Sequence, residues 1–380
     1  MDNFIFQNPT KLVFGKDTIA KLPTLIPADK HIMITFGGGS ARHNGVYDQV
    51  VRALEGREFV EFWGIEPNPT VETVREAIAL ARENKVDFLL AVGGGSVVDG
   101  TKLIAAGIND AEDPWKIVLR GKAATCVPMG VVLTMSATGS EMNCGAVISC
   151  SETHEKFAFY GDYPFFSILD PQTLFSLPPR QIACGLSDTF VHVFEQYLTT
   201  PGQSRLMDRW AEGILHTVVE LAPLIRADQH DYAVMSEYML SATLALNDMI
   251  RMGVNQDWTS HMIGHEVTAL HALAHGATLA IVVGGTMRVL RDQKRGKLLQ
   301  YGARIWNITD GSEEERIDRT IARTEEFFRS LGLSTRLSEE GIGEATIAEI
   351  ERRFNARGAA YGEKQNVTGA VARQILEACL

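Results

Sequence analysis

The sequence predicts an α/β fold with a parallel sheet in the first half of the chain and an all-helical second half. Three apolar runs in the first half are predicted to be buried strands, each leading into a glycine-rich or hydroxyl-rich turn: residues 31–36, 88–92 and 127–133. Residues 71–83 have helical periodicity, and strands that alternate with helices are typical of βαβ units. Helical patterns dominate from Pro179 onward, which predicts a domain boundary there.

Length and charge narrow the class of protein. A chain of 380 residues is long for one hydrophobic core, so we predict an α/β domain over residues 1–179 and a helical domain over residues 180–380. The formal net charge is -11 and no long basic run occurs, which argues against nucleic acid or a membrane surface as a partner. No apolar stretch approaches a bilayer span and no signal peptide is recognisable, so a cytoplasmic location is expected.

Two of the predicted strands end in the same four residues, Gly-Gly-Gly-Ser. Glycine at such a turn lets the backbone approach a phosphate group, whose charge is favoured by the N-terminus of the next helix. The dinucleotide fingerprint G-x-G-x-x-G is not met, because Val98 stands three residues after Gly95. The P-loop pattern also fails, because Lys102 follows Thr101 instead of preceding it. Two such turns favour anion binding over the alternative, a tight turn that binds nothing.

Asp188 and His192 are four residues apart in a segment of helical character. This spacing places a carboxylate and an imidazole on the same face of a helix, where both can bind one metal ion. An ion pair on a helix surface is the alternative. Apolar neighbours on several sides make a surface helix the less favoured interpretation: Phe190, Val191, Val193 and Phe194.

Four of the ten histidines lie within 15 residues: His261, His265, His271 and His275. His261 and His265 are one helical turn apart, whereas His261 and His275 would be about 21 Å apart in one straight helix. They can meet at a single ion only if the chain turns between them. One carboxylate and three imidazoles suit Zn, Fe(II), Co or Ni, and for any single histidine a hydrogen-bonded interior position is the alternative.

The run from Gly93 to Lys102 resembles the GGGSxxDxxK turn of the iron-containing (group III) alcohol dehydrogenases. The stretches around Asp188 and His261 resemble the two metal-binding segments of that family, and the similarity extends along nearly the whole chain. Short sequence segments such as residues 64–69 most closely resemble one branch of that family, the NADPH-dependent aldehyde reductases or butanol dehydrogenases. The resemblance implies a Rossmann-like dinucleotide-binding N-terminal domain with a parallel sheet and an all-α, metal-binding C-terminal domain.

The resemblance implies a role for each matching residue of this chain. The family's metal ligands correspond to Asp188, His192, His261 and His275. Its catalytic residues near the nicotinamide correspond to His265 and Asp99, and with less support to His271. Its cofactor-binding residues correspond to positions in the three turns: Gly37, Gly38, Gly39, Ser40, Gly93, Gly94, Gly95, Ser96, Asp99, Thr134, Ser136 and Thr138.

The implied activity is the interconversion of small aldehydes and primary alcohols, with NADP(H) as hydride carrier and one divalent metal, Zn or Fe(II). The first turn, Gly37–Ser40, favours NADP(H) over NAD(H). Arg42 and His43 follow it, and no carboxylate stands there to repel a 2′-phosphate. His265 is the expected proton donor. A homodimer is expected from the resemblance.

Two other interpretations stay open at this point. One is an NAD- and zinc-dependent enzyme of the same superfold, like dehydroquinate synthase or glycerol dehydrogenase. No cluster of Arg and Lys suited to a phosphorylated acid stands beside the predicted metal segment, which disfavours the synthase. The other is a non-catalytic binding protein with a structural zinc, which oxidation of NADPH by butanal would exclude.

Overall fold

The computed structural model describes residues 1–380, which form two compact units. The sheet unit comprises Gln7–Leu177 and Ala227–Asn247, and it holds every strand of the protein. The helical unit comprises Met1–Phe6, Pro178–Arg226 and Asp248–Leu380. The predicted domain boundary at residue 179 stays a prediction, since a compact unit is not the same thing as an independently folding domain.

The sheet unit contains eight strands: β1 (Lys11–Phe14), β2 (Ile32–Phe36), β3 (Phe59–Phe62), β4 (Phe88–Gly94), β5 (Met129–Met135), β6 (Gly145–Cys150), β7 (Glu155–Tyr160) and β8 (Phe166–Leu169). Six of them form a parallel sheet in the order β1-β8-β5-β4-β2-β3, which confirms the predicted sheet. β6 and β7 form a separate antiparallel hairpin. The three strands predicted from the sequence are the neighbours β5, β4 and β2, so the turns that follow them lie at one edge of the sheet.

The central strands are buried almost throughout, which explains their continuous apolar sequences. Every residue of β2 is buried, and in β4 and β5 only the last residue is partly exposed. Parallel strands need this composition because both faces of the sheet are covered. Phe36, Leu90 and Val132, one from each strand, lie in the same hydrophobic cluster. The strand predicted over residues 127–133 begins two residues later than expected, at Met129.

Besides four short 3₁₀ helices, the chain contains fifteen α-helices: α1 (Leu22–Leu25), α2 (Ser40–His43), α3 (Val46–Ala53), α4 (Val71–Glu83), α5 (Gly95–Gly107), α6 (Pro114–Arg120), α7 (Pro179–Tyr197), α8 (Arg205–Ala227), α9 (Tyr232–Ala245), α10 (Thr259–His271), α11 (His275–Val289), α12 (Arg295–Ile305), α13 (Glu313–Ser330), α14 (Glu344–Arg357) and α15 (Gly369–Glu377). The helical unit contains no strand, as the sequence predicts. None of the helices combines the length and the apolar composition that a membrane span requires.

Helix α4 confirms the helix predicted over residues 71–83. Thr70 caps its N-terminus, since the Thr70 hydroxyl accepts a hydrogen bond from the Thr73 N–H at 3.4 Å. The face that the periodicity assigns to the core is buried: Val71, Val74, Ile78 and Ala81.

Helix α9 belongs to the sheet unit although it lies in the second half of the sequence. The Tyr238 hydroxyl donates to the carbonyl oxygen of Ser136 at 2.5 Å, and the Thr243 hydroxyl donates to Glu141 Oε1 at 2.5 Å. All four residues are buried, so these contacts fix α9 on the loop that follows β5.

Candidate metal centre and cofactor turns

Helix α7 carries Asp188 and His192 on one face. Every residue from 182 to 197 is buried, which excludes an ion pair on a helix surface. Asp188 Oδ1 lies 3.6 Å from His192 Nδ1, as the spacing of four residues predicts. The helix thus presents a carboxylate and an imidazole inside the helical unit.

Helices α10 and α11 bring the histidine cluster together, because the chain turns between them. α10 ends at His271, and Ala272 takes a left-handed backbone conformation with φ 55°. α11 begins three residues later, at His275. The turn that a shared ion requires between His261 and His275 is therefore present.

Gly276 allows α11 to approach α7 closely. A Cβ atom at this position would lie 2.0 Å from the carbonyl oxygen of Cys184, so no larger residue fits without displacing backbone. The Ser187 hydroxyl donates to the Gly276 carbonyl oxygen at 2.7 Å. This contact brings His275 beside Asp188, with His275 Nε2 3.9 Å from Asp188 Oδ1.

Asp188, His261 and His275 form a cluster of possible metal ligands. Their ligand atoms all lie within 4.8 Å of one another, and His261 Nε2 is also 3.9 Å from Asp188 Oδ1. Bonds of about 2.0–2.1 Å to one zinc ion would hold tetrahedral ligand atoms about 3.4 Å apart. The two 3.9 Å distances to Asp188 exceed that spacing by about 0.5 Å. The His192 ring centre lies 4.7 Å from the His261 ring centre. This set of donors fits a divalent ion.

A buried ion cluster anchors the chain just before α10. Lys294 Nζ lies 2.7 Å from Asp257 Oδ2 and 3.4 Å from Glu363 Oε1. Asp257 Oδ1 also accepts a hydrogen bond from the Thr259 N–H at 3.0 Å, which caps the helix. Burial acts to raise the pKa of Asp257, but the Lys294 charge and the hydrogen bonds that Asp257 accepts together hold that pKa below its usual value. Asp257 and Thr259, the two neighbours of Trp258, are therefore both held in place just before His261.

His265 and His271 lie in different surroundings. His265 is buried, with its ring centre 5.0 Å from that of His275 and 6.4 Å from that of His261. His271 Nε2 lies 2.8 Å from Thr346 Oγ1 of α14, and burial lowers the pKa of His271. The structure therefore brings His265 to the ligand cluster and directs His271 towards α14. The catalytic roles of both stay predictions.

Side-chain packing at the second turn, Gly93–Ser96, requires glycine. A Cβ atom at Gly94 would lie 2.9 Å from Met135 Cβ, and one at Gly95 would lie 2.5 Å from Thr138 Oγ1. A Cβ atom at Gly93 would likewise overlap Val97. α5 begins at Gly95, and the N–H groups of its first turn favour an anion. Because packing alone accounts for these glycines, phosphate binding at Gly93–Gly95 and Ser96 stays a prediction.

Asp99 and Lys102 bind the third turn through a shared partner, Ser140. The Ser140 hydroxyl donates to Asp99 Oδ1 at 2.6 Å and accepts a hydrogen bond from Lys102 Nζ at 2.7 Å. Asp99 Oδ2 also accepts from the Val147 N–H at 2.8 Å. Burial raises the pKa of Asp99, and the Lys102 charge acts in the opposite direction. These contacts give Asp99 a structural role, and its catalytic role stays a prediction.

The third turn places three hydroxyl groups at the end of β5, with Thr134 in the strand and Ser136 and Thr138 after it. Thr134 and Ser136 are buried, and the Ser136 hydroxyl makes no hydrogen bond within the chain. Thr138 Oγ1 accepts a hydrogen bond from the Ser140 N–H at 3.2 Å. A buried hydroxyl without a protein partner is suited to a ligand, so Ser136 is the member of this set with the best structural support.

The first turn is more open than the second. A Cβ atom at Gly38 or Gly39 would meet nothing within 4 Å, and Gly39 has φ 110°, which L-residues rarely adopt. α2 follows at once with Ser40 as its first residue. The Arg42 guanidinium stacks 4.0 Å from the centre of the Trp63 ring, and its Nη2 is 3.9 Å from Glu61 Oε2. A cation thus stands beside this turn, partly balanced by one carboxylate.

Two buried charged residues near these sites, Glu195 and Lys156, belong to none of the sequence motifs described above. Glu195 Oε2 lies 2.5 Å from His261 Nδ1, and Glu195 follows Asp188 by seven residues, a spacing that already indicates a shared face of α7. Burial, and then the Asp257 charge, raise the pKa of Glu195 to about 8. Lys156 Nζ donates to Asn68 Oδ1 at 2.8 Å near the second turn. No spacing indicates Lys156, because it lies in the hairpin strand β7.

The two units together define a class of protein. A parallel sheet with glycine turns after its central strands is typical of nucleotide-binding folds, and the Asp/His cluster suits a catalytic divalent ion. Residues 9–171 match the family model described as iron-containing alcohol dehydrogenase, and residues 181–378 match the C-terminal model of the Fe-containing alcohol dehydrogenase family. The chain belongs to the iron-containing alcohol dehydrogenase family. This confirms the predicted family and the predicted enzyme class, an oxidoreductase of alcohols and aldehydes.

Similar proteins of known name support the same class. The NADPH-dependent aldehyde reductase YqhD of Escherichia coli is 49% identical over the full length of both chains, and its crystal structure has a TM-score of 0.98 over 100% of this chain and 99% of that one. The NADP-dependent alcohol dehydrogenase 3 of Entamoeba histolytica is 40% identical over 93% of each chain. The structure of NADH-dependent butanol dehydrogenase A from Thermotoga maritima has a TM-score of 0.95 and 35% identity, covering 100% and 99% of the chains. Enzymes like dehydroquinate synthase are not favoured.

Proposed function

We propose that this protein is a metal- and NADP(H)-dependent alcohol dehydrogenase that interconverts small aldehydes and primary alcohols. The observation that carries the proposal is the cluster of Asp188, His261 and His275 in a chain of this family. The names of the relatives support a small aldehyde or alcohol as substrate, as do the predictions from the sequence.

The proposed metal ligands are Asp188, His192, His261 and His275. Three neutral imidazoles and one carboxylate would leave a divalent ion with a net charge of about +1, so the ion would still attract a carbonyl oxygen. Zn and Fe(II) both accept this set of donors, and the choice between them depends on availability. Either ion satisfies the proposal.

The residues around the cluster have separate proposed tasks. When bound, the metal would polarise the carbonyl group and the nicotinamide would supply the hydride. Asp188 and the histidine ligands would hold the ion and so determine where the reacting oxygen binds. His265, whose ring lies 5.0 Å from that of His275, would donate a proton to the product oxygen in aldehyde reduction and accept one in the reverse direction.

We infer NADP(H) as the cofactor from the first turn. The names of the relatives divide between NADPH and NADH, so they do not decide the choice. Arg42 stands just after the turn, where its guanidinium can pair with a 2′-phosphate, and Ser40 supplies a hydroxyl at the start of α2. Glu61 is the only carboxylate paired with Arg42, and a dianionic phosphate would compete with it. The remaining cofactor contacts are proposed for the second and third turns.

A homodimer is part of the same proposal. Strand β1 lies at the edge of the sheet and pairs only with β8, so its other side offers unpaired backbone groups. The dimer and the cytoplasmic location stay predictions. Sedimentation velocity at micromolar concentration measures the first of these directly.

The test is NADPH oxidation, followed by absorbance at 340 nm, with butanal as substrate. Metal-loaded and chelator-stripped protein are compared in parallel. We expect activity that is lost on stripping and that returns when Zn or Fe(II) is added back. Full activity without metal, or no oxidation with any small aldehyde despite bound metal, would contradict the proposal.

A further inference from the structure

Glu195 occupies a position from which it can orient a metal ligand. It lies on α7, seven residues after Asp188 and three after His192, and so shares their face of the helix. Its side chain is 2% exposed. Glu195 Oε2 lies 2.5 Å from His261 Nδ1, the ring nitrogen that does not face Asp188.

The same carboxylate also holds the start of α10. Glu195 Oε1 accepts a hydrogen bond from the Ser260 N–H at 2.5 Å, and Oε2 accepts one from the His261 N–H at 3.0 Å. The N-cap residue of α10, Trp258, has no side chain that can accept these bonds. Glu195 therefore caps the two N–H groups that follow the one bound by Asp257, and it joins the backbone of α10 to α7.

The contact with Nδ1 selects one form of the His261 ring. Ionised Glu195, the form that a divalent cation in the cluster would favour, only accepts hydrogen bonds, so beside it the proton of a neutral ring must be on Nδ1, and Nε2 must carry the lone pair. Nε2 is the atom that lies 3.9 Å from Asp188 Oδ1. The ion pair of Glu195 is with His261, at 2.5 Å, and neither lysine nor arginine pairs with it.

We propose that Glu195 is a positioning residue that fixes the tautomer and the orientation of His261 for metal binding. The proposal rests on the proposed metal site. Partners of this kind make the ligand nitrogen more basic and restrict ring rotation, and their loss weakens metal binding by about 10–100-fold. In this role Glu195 is not itself a metal ligand, and it acts on the metal through His261.

The variant E195Q separates this role from a merely structural one. Glutamine keeps the size of the side chain, and its oxygen in the place of Oε1 can still accept the Ser260 N–H bond at the start of α10. Its NH₂ group, however, would donate to Nδ1 and so drive the ring proton onto Nε2, where it blocks the metal. The matched control is E212Q, which alters a mostly buried carboxylate of α8 that binds Tyr197 and Arg304.

Zinc affinity is measured by competition with a chromogenic chelator, and melting temperature is measured on metal-free protein. We expect E195Q to bind zinc about 10–100-fold more weakly than wild type. E212Q should bind it as wild type does, and metal-free E195Q should melt close to wild type. A zinc affinity of E195Q within about twofold of wild type would overturn the proposal.

A second measurement needs no variant at position 195. In wild-type protein with ¹⁵N-labelled histidine, long-range proton–nitrogen correlation reports which ring nitrogen of His261 carries the proton, with assignment by the loss of that signal in H261Q. A proton on Nδ1 supports the proposal even if E195Q folds poorly, and a proton on Nε2 overturns it. Wild-type protein that binds no zinc would contradict the proposed function, while the tautomer of His261 would still test the role of Glu195.

Discussion

Gly276 is the contact on which the geometry of the proposed metal site depends most directly. A Cβ atom there would lie 2.0 Å from the carbonyl oxygen of Cys184 and 2.8 Å and 3.0 Å from two further backbone atoms of that residue. Ordinary contacts begin at 3.4 Å, so Gly276→Ala must displace α11 from α7 by about 1.4 Å. Backbone atoms of a buried helix cannot move aside as the end of a flexible side chain can.

The displacement has a cost in stability and a cost in metal binding. Overpacking of this kind lowers the free energy of unfolding by roughly 3 kcal/mol, which corresponds to a fall of about 6–12 °C in melting temperature. Asp188 and His275 lie on the two helices that separate, so their 3.9 Å distance would widen towards roughly 5 Å. A tetrahedral zinc ion holds its ligand atoms about 3.4 Å apart, so the wider spacing would weaken zinc binding.

Thermal melting of metal-free protein and zinc competition with a chelator measure the two effects separately. The control is Gly213→Ala, because Gly213 is an exposed residue inside α8 with nothing within 4 Å of its added Cβ atom. That variant should gain roughly 0.5–1 kcal/mol, as alanine is the better helix former. The reasoning is refuted if G276A melts within about 1 °C of wild type or binds zinc with the affinity of wild type.

The remaining predictions concern His265 and Arg42. His265→Ala should lower the kcat of butanal reduction by roughly 10²–10⁴-fold, with the metal content measured by mass spectrometry unchanged, since His265 is a proposed proton donor and not a ligand. Loss of metal along with activity would contradict that role. Arg42→Gln should raise the KM for NADPH by about tenfold and leave the KM for NADH unchanged, because only the 2′-phosphate uses the guanidinium. Arg52→Gln, an exposed arginine of α3, is the control, and equal changes for both cofactors would contradict the assignment.

The parts of the fold that the sequence predicts are those set by local pattern. α4 and the central strands follow from periodicity and from continuous apolar runs, because burial on one or both faces determines which residues they contain. The placement of α9 in the sheet unit could not be predicted. It depends on contacts such as Tyr238 to Ser136, which join residues about one hundred positions apart and leave no mark in the local sequence.

The proposed metal site likewise has one part that local sequence predicts and another that depends on tertiary packing. The pair Asp188 and His192 follows from helix geometry, and so does the face that Glu195 shares with them. The approach of His275 to Asp188 depends instead on Gly276 fitting against Cys184, which is a tertiary contact. A glycine after a histidine is an ordinary dipeptide, and only the packing of two helices shows why no Cβ atom fits there.

The GGGSxxDxxK turn shows why spacing alone does not separate binding from positioning. Asp99 and Lys102 have the residue types of a catalytic pair, but both are occupied by Ser140 of the third turn. Thr138, two residues before Ser140, fills the space where a Cβ atom of Gly95 would lie. The glycine and the two charged residues therefore solve one packing problem, the close approach of the second and third turns. A cofactor bound at these turns would depend on Asp99 and Lys102 for the shape of its site, whether or not Asp99 also touches it as the sequence predicts.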